Sequence, residues 1–183
     1  MSSIEHLITL ADLEKYPDDD GNRYELIEGE LYVSTAPGIP HQLVLVNLLT
    51  AFTSYLKTNP IGKIVPGAGA VFSNFDAVIP DLVFVSNERW SDIVANNRFN
   101  AAPDIVIEVL SPGAENRRRD LVAKQRLYYK YGVQEYWIID QEDQSALVYR
   151  YARSDELTFK SSDVLTSELL PDFEVSVSSL FEF

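Results

Sequence analysis

The chain has 183 residues, of which 46% are hydrophobic and 23% charged, the composition of an ordinary globular protein in the size range of one folded domain. It has no cysteine and only two histidines, His6 and His41, which excludes disulfides and thiolate metal sites and argues against zinc, so any metal here must be one that prefers oxygen. A net charge of −13 weighs against a broad electrostatic surface for nucleic acid, because phosphate neutralisation supplies most non-specific affinity.

In chain order, Met1 to Leu10 lacks the basic start and long apolar run of a secretory leader, and the expectation is a cytoplasmic protein with no membrane partner. Thr9-Leu10-Ala11-Asp12 predicts a capped helix start, with a short helix to about Tyr16. A turn cluster from Pro17 to Asn22 leads into two alternating strands, Arg23 to Ile27 and Glu30 to Ser34, around a Glu28-Gly29 hairpin turn. Leu43 to Leu56 has the spacing of a largely buried helix, too short to span a bilayer, and Asn59-Pro60 stops it.

From Gly62 to Val85 the pattern is β with glycine breaks, clearest as a strand over Ala77 to Val85, and Ser86 introduces a short helix from Asn87 to about Ala95. Asp104 to Leu110 is a nearly continuous apolar run, the mark of a central strand covered on both faces. A helix from Asn116 to Tyr131 ends at Gly132, and Glu135 to Asp140 forms the next strand, so strand, helix and strand make a parallel crossover. Ala146 to Tyr151 and Leu157 to Lys160 read as peripheral strands, and Leu169 to Phe183 as an apolar tail.

Two acids stand where apolar residues belong. Glu108 lies among Ile105, Val106, Ile107, Val109 and Leu110, and Asp81 follows Pro80 at the head of Leu82-Val83-Phe84-Val85. A carboxylate removed from water must be paired, protonated or bound to a cation, and two such anomalies point to one shared magnesium-type site of oxygen ligands. The alternative is that each acid ends a strand and is paired with an arginine. Lys124 falls on the helix face of Leu121, Leu127, Tyr128 and Tyr131, so its amine is directed inward, where it would orient water for attack on a phosphodiester. An exposed pair with Asp120, four residues earlier, accounts for the spacing equally well. Arg117, Arg118, Arg119, Lys124, Arg126 and Lys130 share a segment whose only acid is Asp120, which predicts a local basic surface.

Asp81 after its proline, Pro103 to Ser111, Asp120 to Lys124 and Gly132 to Asp140 together resemble a bacterial family of putative restriction endonucleases in the PD-(D/E)xK superfamily. The Tyr24 to Leu31 hairpin, His41 and the Leu170-Pro171-Asp172-Phe173 tail match it too, so the resemblance covers almost all of residues 1–183. It implies a restriction endonuclease-like α/β fold, a mixed β-sheet flanked by α-helices with an N-terminal β-hairpin. It also implies Asp81 and Glu108 as ligands of magnesium or manganese, Glu25 as an additional acid and metal ligand, and Lys124 as the catalytic lysine. The superfamily lysine usually lies two residues after the acid; here that position is Leu110, and the family pattern selects Lys124 instead.

On its strand Glu25 faces away from Tyr24 and Leu26, which suits solvent as well as a site. Glu28 is read as a turn residue. His41 is read as a helix-start cap or surface residue, with a phosphate contact as the alternative, and Arg117, Arg118 and Arg119 as possible nucleic-acid contacts. Glu135, Trp137 and Asp140 match the family, and a sheet-edge or subunit contact also explains Trp137. The leading expectation is a metal-dependent endonuclease acting on DNA, as a homodimer. The alternatives are an inactive nuclease-fold module binding nucleic acid or protein, and a scaffold that oligomerises through aromatic surfaces including Trp90 and Trp137.

Overall fold

The computed structural model describes residues 7–17 and 19–183; His6 lies outside the described residues. Thr9 starts α1 (Leu10–Leu13) by exchanging hydrogen bonds with Asp12, and this helix stops short of Tyr16. The hairpin of β1 (Asn22–Ile27) and β2 (Glu30–Thr35) turns at Glu28 and Gly29, whose φ values of 54° and 80° suit a two-residue turn. Next, α2 (Ile39–Thr58) begins four residues before the apolar periodicity does. Pro40 suits its first turn, where a missing N–H loses no helical bond.

The strands β3 (Gly62–Pro66), β4 (Ala70–Ser73), β5 (Asp76–Val78) and β6 (Leu82–Ser86) follow. The single strand expected over Ala77 to Val85 is therefore two: β5 pairs with β1 and β4, whereas β6 pairs with β3 and β9. Pro80, with no N–H to donate, sits where the chain leaves one sheet for the other. Then come α3 (Asn87–Ile93), β7 (Val94–Ala95), β8 (Arg98–Phe99) and β9 (Ile105–Val109). The next helix is α4 (Ala114–Arg118), continues through a π-helical turn at Arg119–Lys124 and resumes as α5 (Gln125–Tyr131), ending at Gly132 with φ 81°. Finally β10 (Glu135–Asp140), β11 (Ser145–Arg150), β12 (Asp155–Phe159), β13 (Val164–Thr166) and β14 (Glu174–Ser176) lead to a 3₁₀ turn at Ser178–Phe181.

Of the two six-stranded sheets one has the order β2-β1-β5-β4-β8-β7 and the other β12-β11-β10-β9-β6-β3, with β9 and β10 parallel as the crossover requires, and β13 and β14 form a third, two-stranded sheet. Alternation along β9 divides the core. Ile105, Ile107 and Val109 pack with α2 and the C-terminal tail, while Val106 and Leu110 pack on the other side with Leu127 and Tyr128 of α5. Trp137 is fully buried beside Phe52 and Phe173, which corrects its expected role as an edge or subunit contact. Trp90 is half-buried beneath Lys63. No helix among the described residues is long and apolar enough to cross a membrane.

Gly62 pairs with Ser86 where a Cβ would run into the Phe84 ring and the Val85 carbonyl. Gly62→Ala is expected to lower stability by about 1–3 kcal/mol, read as a lower urea midpoint at unchanged slope. An unchanged midpoint would mean that β3 moves aside without cost.

Candidate active site

Leu82 opposes Ile107 across the antiparallel β6–β9 pair, so one residue further out Asp81 comes opposite Glu108. Both fall on the sheet face of Val83 and Val106, which α5 covers. Asp81 is nearly buried, and its Oδ2 accepts the Val109 amide at 2.9 Å and faces Nε2 of His41 at 3.0 Å. Its Oδ1 lies 3.4 Å from Arg23. Glu108 Oε1 accepts the Lys124 amine at 2.9 Å and the Tyr128 hydroxyl at 2.8 Å.

The hairpin supplies the third acid. Glu25, on β1, is only 3% exposed, so of the two expected environments the structure selects the buried one. Its Oε1 accepts the Ile79 amide at 2.8 Å and pairs with Lys124 at 2.9 Å. The exposed Lys124–Asp120 pair is likewise corrected: Lys124 is fully buried between Glu25 and Glu108, and Asp120 stands 4.0 Å away, bound by Arg119 at 2.8 Å. The π-helical turn accommodates this by carrying both Asp120 and Lys124 to the interior. Such single wide turns inside α-helices are frequent at functional sites.

A cavity of about 370 Å³ opens onto Glu25, His41, Asp81, Glu108, Arg119 and Lys124. Four acids, Glu25, Asp81, Glu108 and Asp120, meet three cations, Arg23, Arg119 and Lys124. The surplus falls on Glu108: burial pushes its carboxyl up to about 8, Lys124 pulls the other way, and Asp81, Asp120 and Glu25 add to the rise. Asp81 is held below the usual carboxylate range because His41 and the Val109 amide outweigh its burial. Lys124 is held above the usual lysine range, since its three carboxylate neighbours outweigh the burial that opposes its charge.

Among the described residues no group of three or more histidines and acids converges as a ready-made metal cage. Magnesium does not require one, since it binds through one or two carboxylates and keeps waters or substrate oxygens for the rest. Asp81 and Glu108, opposed across neighbouring strands at a shared cavity, fit that donor set. Glu25 engages the Ile79 amide and Lys124 through Oε1, just as Glu108 engages Lys124 and Tyr128 through its own Oε1.

The other expected contacts separate. His41 is 4% exposed and bonded to Asp81, which corrects its reading as a cap or surface contact. Its Nδ1 is buried without a hydrogen-bond partner. The arginine run forms no single basic surface: Arg117 pairs with Asp140 at 2.8 Å, Arg119 turns into the site, and Arg118 alone of the three is exposed. Glu135 accepts from Trp137 and Ser167 in a structural cluster, and Asp140 caps the turn after β10. Glu28 is the turn residue expected. Sequence reasoning missed Arg23 and the hydroxyl of Tyr128. Arg23 shares a strand face with Glu25, and Tyr128 lies one helical turn after Lys124, so both spacings carried the signal.

The model of the Uma2 family, described as putative restriction endonuclease, matches residues 10–178. A crystal structure of a putative nuclease belonging to DUF820, from Anabaena variabilis ATCC 29413, superposes with a TM-score of 0.80 at 24% identity over 95% of this chain and 97% of that one. The expected nuclease-like fold, mixed sheets flanked by helices, is thereby confirmed. No match is found among curated proteins.

Glu108 binds its proton more tightly in the folded chain than in the unfolded one, so its contribution to stability is complete below about 4.5 and is lost as pH rises through about 8. Denaturation at a series of pH values should show that decline between these limits, and Glu108→Gln should remove it. A wild-type slope that Gln leaves intact would place the titration elsewhere.

Proposed function

Because this chain belongs to the Uma2 family of putative restriction endonucleases, we propose that it hydrolyses DNA phosphodiester bonds in a magnesium-dependent reaction at the Asp81–Glu108 cavity. The observation that carries this reading is the placement of two buried carboxylates, Asp81 just before β6 and Glu108 on β9, opposite each other at one cavity. Magnesium, or manganese in its place, would be held by Asp81 and Glu108 and would supply Lewis-acid polarisation of a phosphate oxygen.

The chain's own residues provide the rest. His41 and the Val109 amide fix the Asp81 carboxylate on Oδ2, as hydrogen bonds behind a metal ligand commonly do. Glu25 and Glu108 together hold the Lys124 amine. From there the amine orients an attacking water or offsets charge developing on the phosphoryl oxygens. Arg119 lines the same cavity and presents a second cation toward a bound phosphate. Cutting both strands of a duplex calls for two such sites, which suits a homodimer.

A second reading, a nuclease fold that binds nucleic acid or protein without cutting, is favoured by the charge of −13 and by the closed pairing of Lys124 with two acids. Plasmid, linear duplex and single-stranded DNA incubated with magnesium or manganese separate the two. Cleavage should be lost in Glu108→Ala and lowered about 10²–10⁴-fold in Lys124→Ala. Cleavage surviving in both variants would show that another site is responsible.

Calorimetry gives an independent readout. Magnesium at about a hundredfold excess over its Kd should stabilise the wild type by about 2.7 kcal/mol, and Asp81→Ala should lose the effect. Equal stabilisation of that variant would remove Asp81 from the ligand set.

A further inference from the structure

A second cavity, of about 410 Å³, adjoins the first, and Val33, Asn116 and Arg119 line both. One wall is β2, which pairs only with β1 and so ends its sheet with backbone N–H and C=O groups turned outward. The other wall is the helical face of Arg118, Val122 and Arg126. Val33 and Val122 are 53% and 42% exposed, an apolar pair in a groove that Tyr32 also lines. Arg118 and Arg126 are both exposed, and among the described residues neither enters an ion pair, unlike Arg117 and Arg119 beside them.

We propose that this groove binds one unpaired nucleic-acid strand next to the bond being cut. The base rests on Val33, Val122 and Tyr32, and the flanking phosphates meet Arg118 and Arg126. This rests on the nuclease reading for the position of the cut. Continuity with the active-site cavity and the two unpaired arginines select a polyanionic chain, and stacking on apolar and aromatic side chains tolerates any base. The cavity has the size of a small-ligand site, which suits a nucleotide and not a paired duplex. Glu28, Glu30 and Glu115 also line it, and Glu30 accepts the Tyr32 hydroxyl at 2.9 Å. Those carboxylates repel phosphate and so confine it to the arginines.

The test is the binding of a fluorescent single-stranded oligonucleotide without magnesium, across a salt series, by the wild type and by an Arg118→Ala, Arg126→Ala double variant. Each phosphate contact contributes about 0.7 to the slope of log affinity against log salt for a single strand, so the variant should lose about 1.4. Its thermal midpoint should not change, since both side chains are exposed. Affinity and slope equal to those of the wild type would overturn the inference, as would a wild type that binds no single strand. A Val33→Lys change that dissociates a dimer while oligonucleotide binding is untouched would assign the β2 edge to a second copy and overturn it as well. A wild type that cuts DNA while the double variant binds normally defeats the groove alone; one that shows the salt effect and cuts nothing defeats the nuclease reading alone.

Discussion

The ammonium of Lys124, at 2.9 Å from both Glu25 and Glu108, joins three parts of the chain that share no local sequence: the hairpin, the central strand and the helix between β9 and β10. None of these groups would be tolerated singly. A buried charge without a partner costs several kcal/mol, and breaking one member of such a pair is far more damaging than never having built it. The cluster is therefore an organising constraint on the fold as well as a candidate site. The hairpin must dock so that Glu25 reaches Lys124, and the helix must widen by a π turn so that Asp120 and Lys124 both point inward.

The same cluster resolves the conflict between an acidic chain and a polyanionic substrate. Global charge governs long-range steering, but the interaction at the scissile bond depends on what lies within a few ångströms. There the chain supplies Arg23, Arg119 and Lys124 against four carboxylates, leaving one acid in excess that stays protonated to about 8. A divalent cation entering between Asp81 and Glu108 would displace that proton and leave the cluster positive toward phosphate. Lys124 stands beside it in either case.

The elements set by local chemistry were legible in the sequence. Glu28-Gly29 announced the hairpin, the apolar run of β9 announced a strand covered on both faces, and Gly132 marked the helix end. Asp81 and Glu108 were visible because an acid inside an apolar strand is a local contradiction. What stayed hidden depends on contacts distant in sequence. The exchange of sheets at Pro80 follows from which strand each half finds as a partner, and the burial of His41 from a carboxylate 40 residues away. The arginine run misled because sequence proximity does not separate a residue paired with Asp140 from one turned inward to Asp120.

The central claim is that the Asp81 and Glu108 carboxylates meet around a cation. A crystal grown or soaked with manganese, whose anomalous signal identifies the ion, tests it most directly. The account predicts a single strong peak bounded by the Asp81 and Glu108 oxygens, with the Lys124 amine still held by Glu25. No peak there, with Asp81 closed onto Arg23 and Glu108 retained by Lys124 and Tyr128, would contradict it.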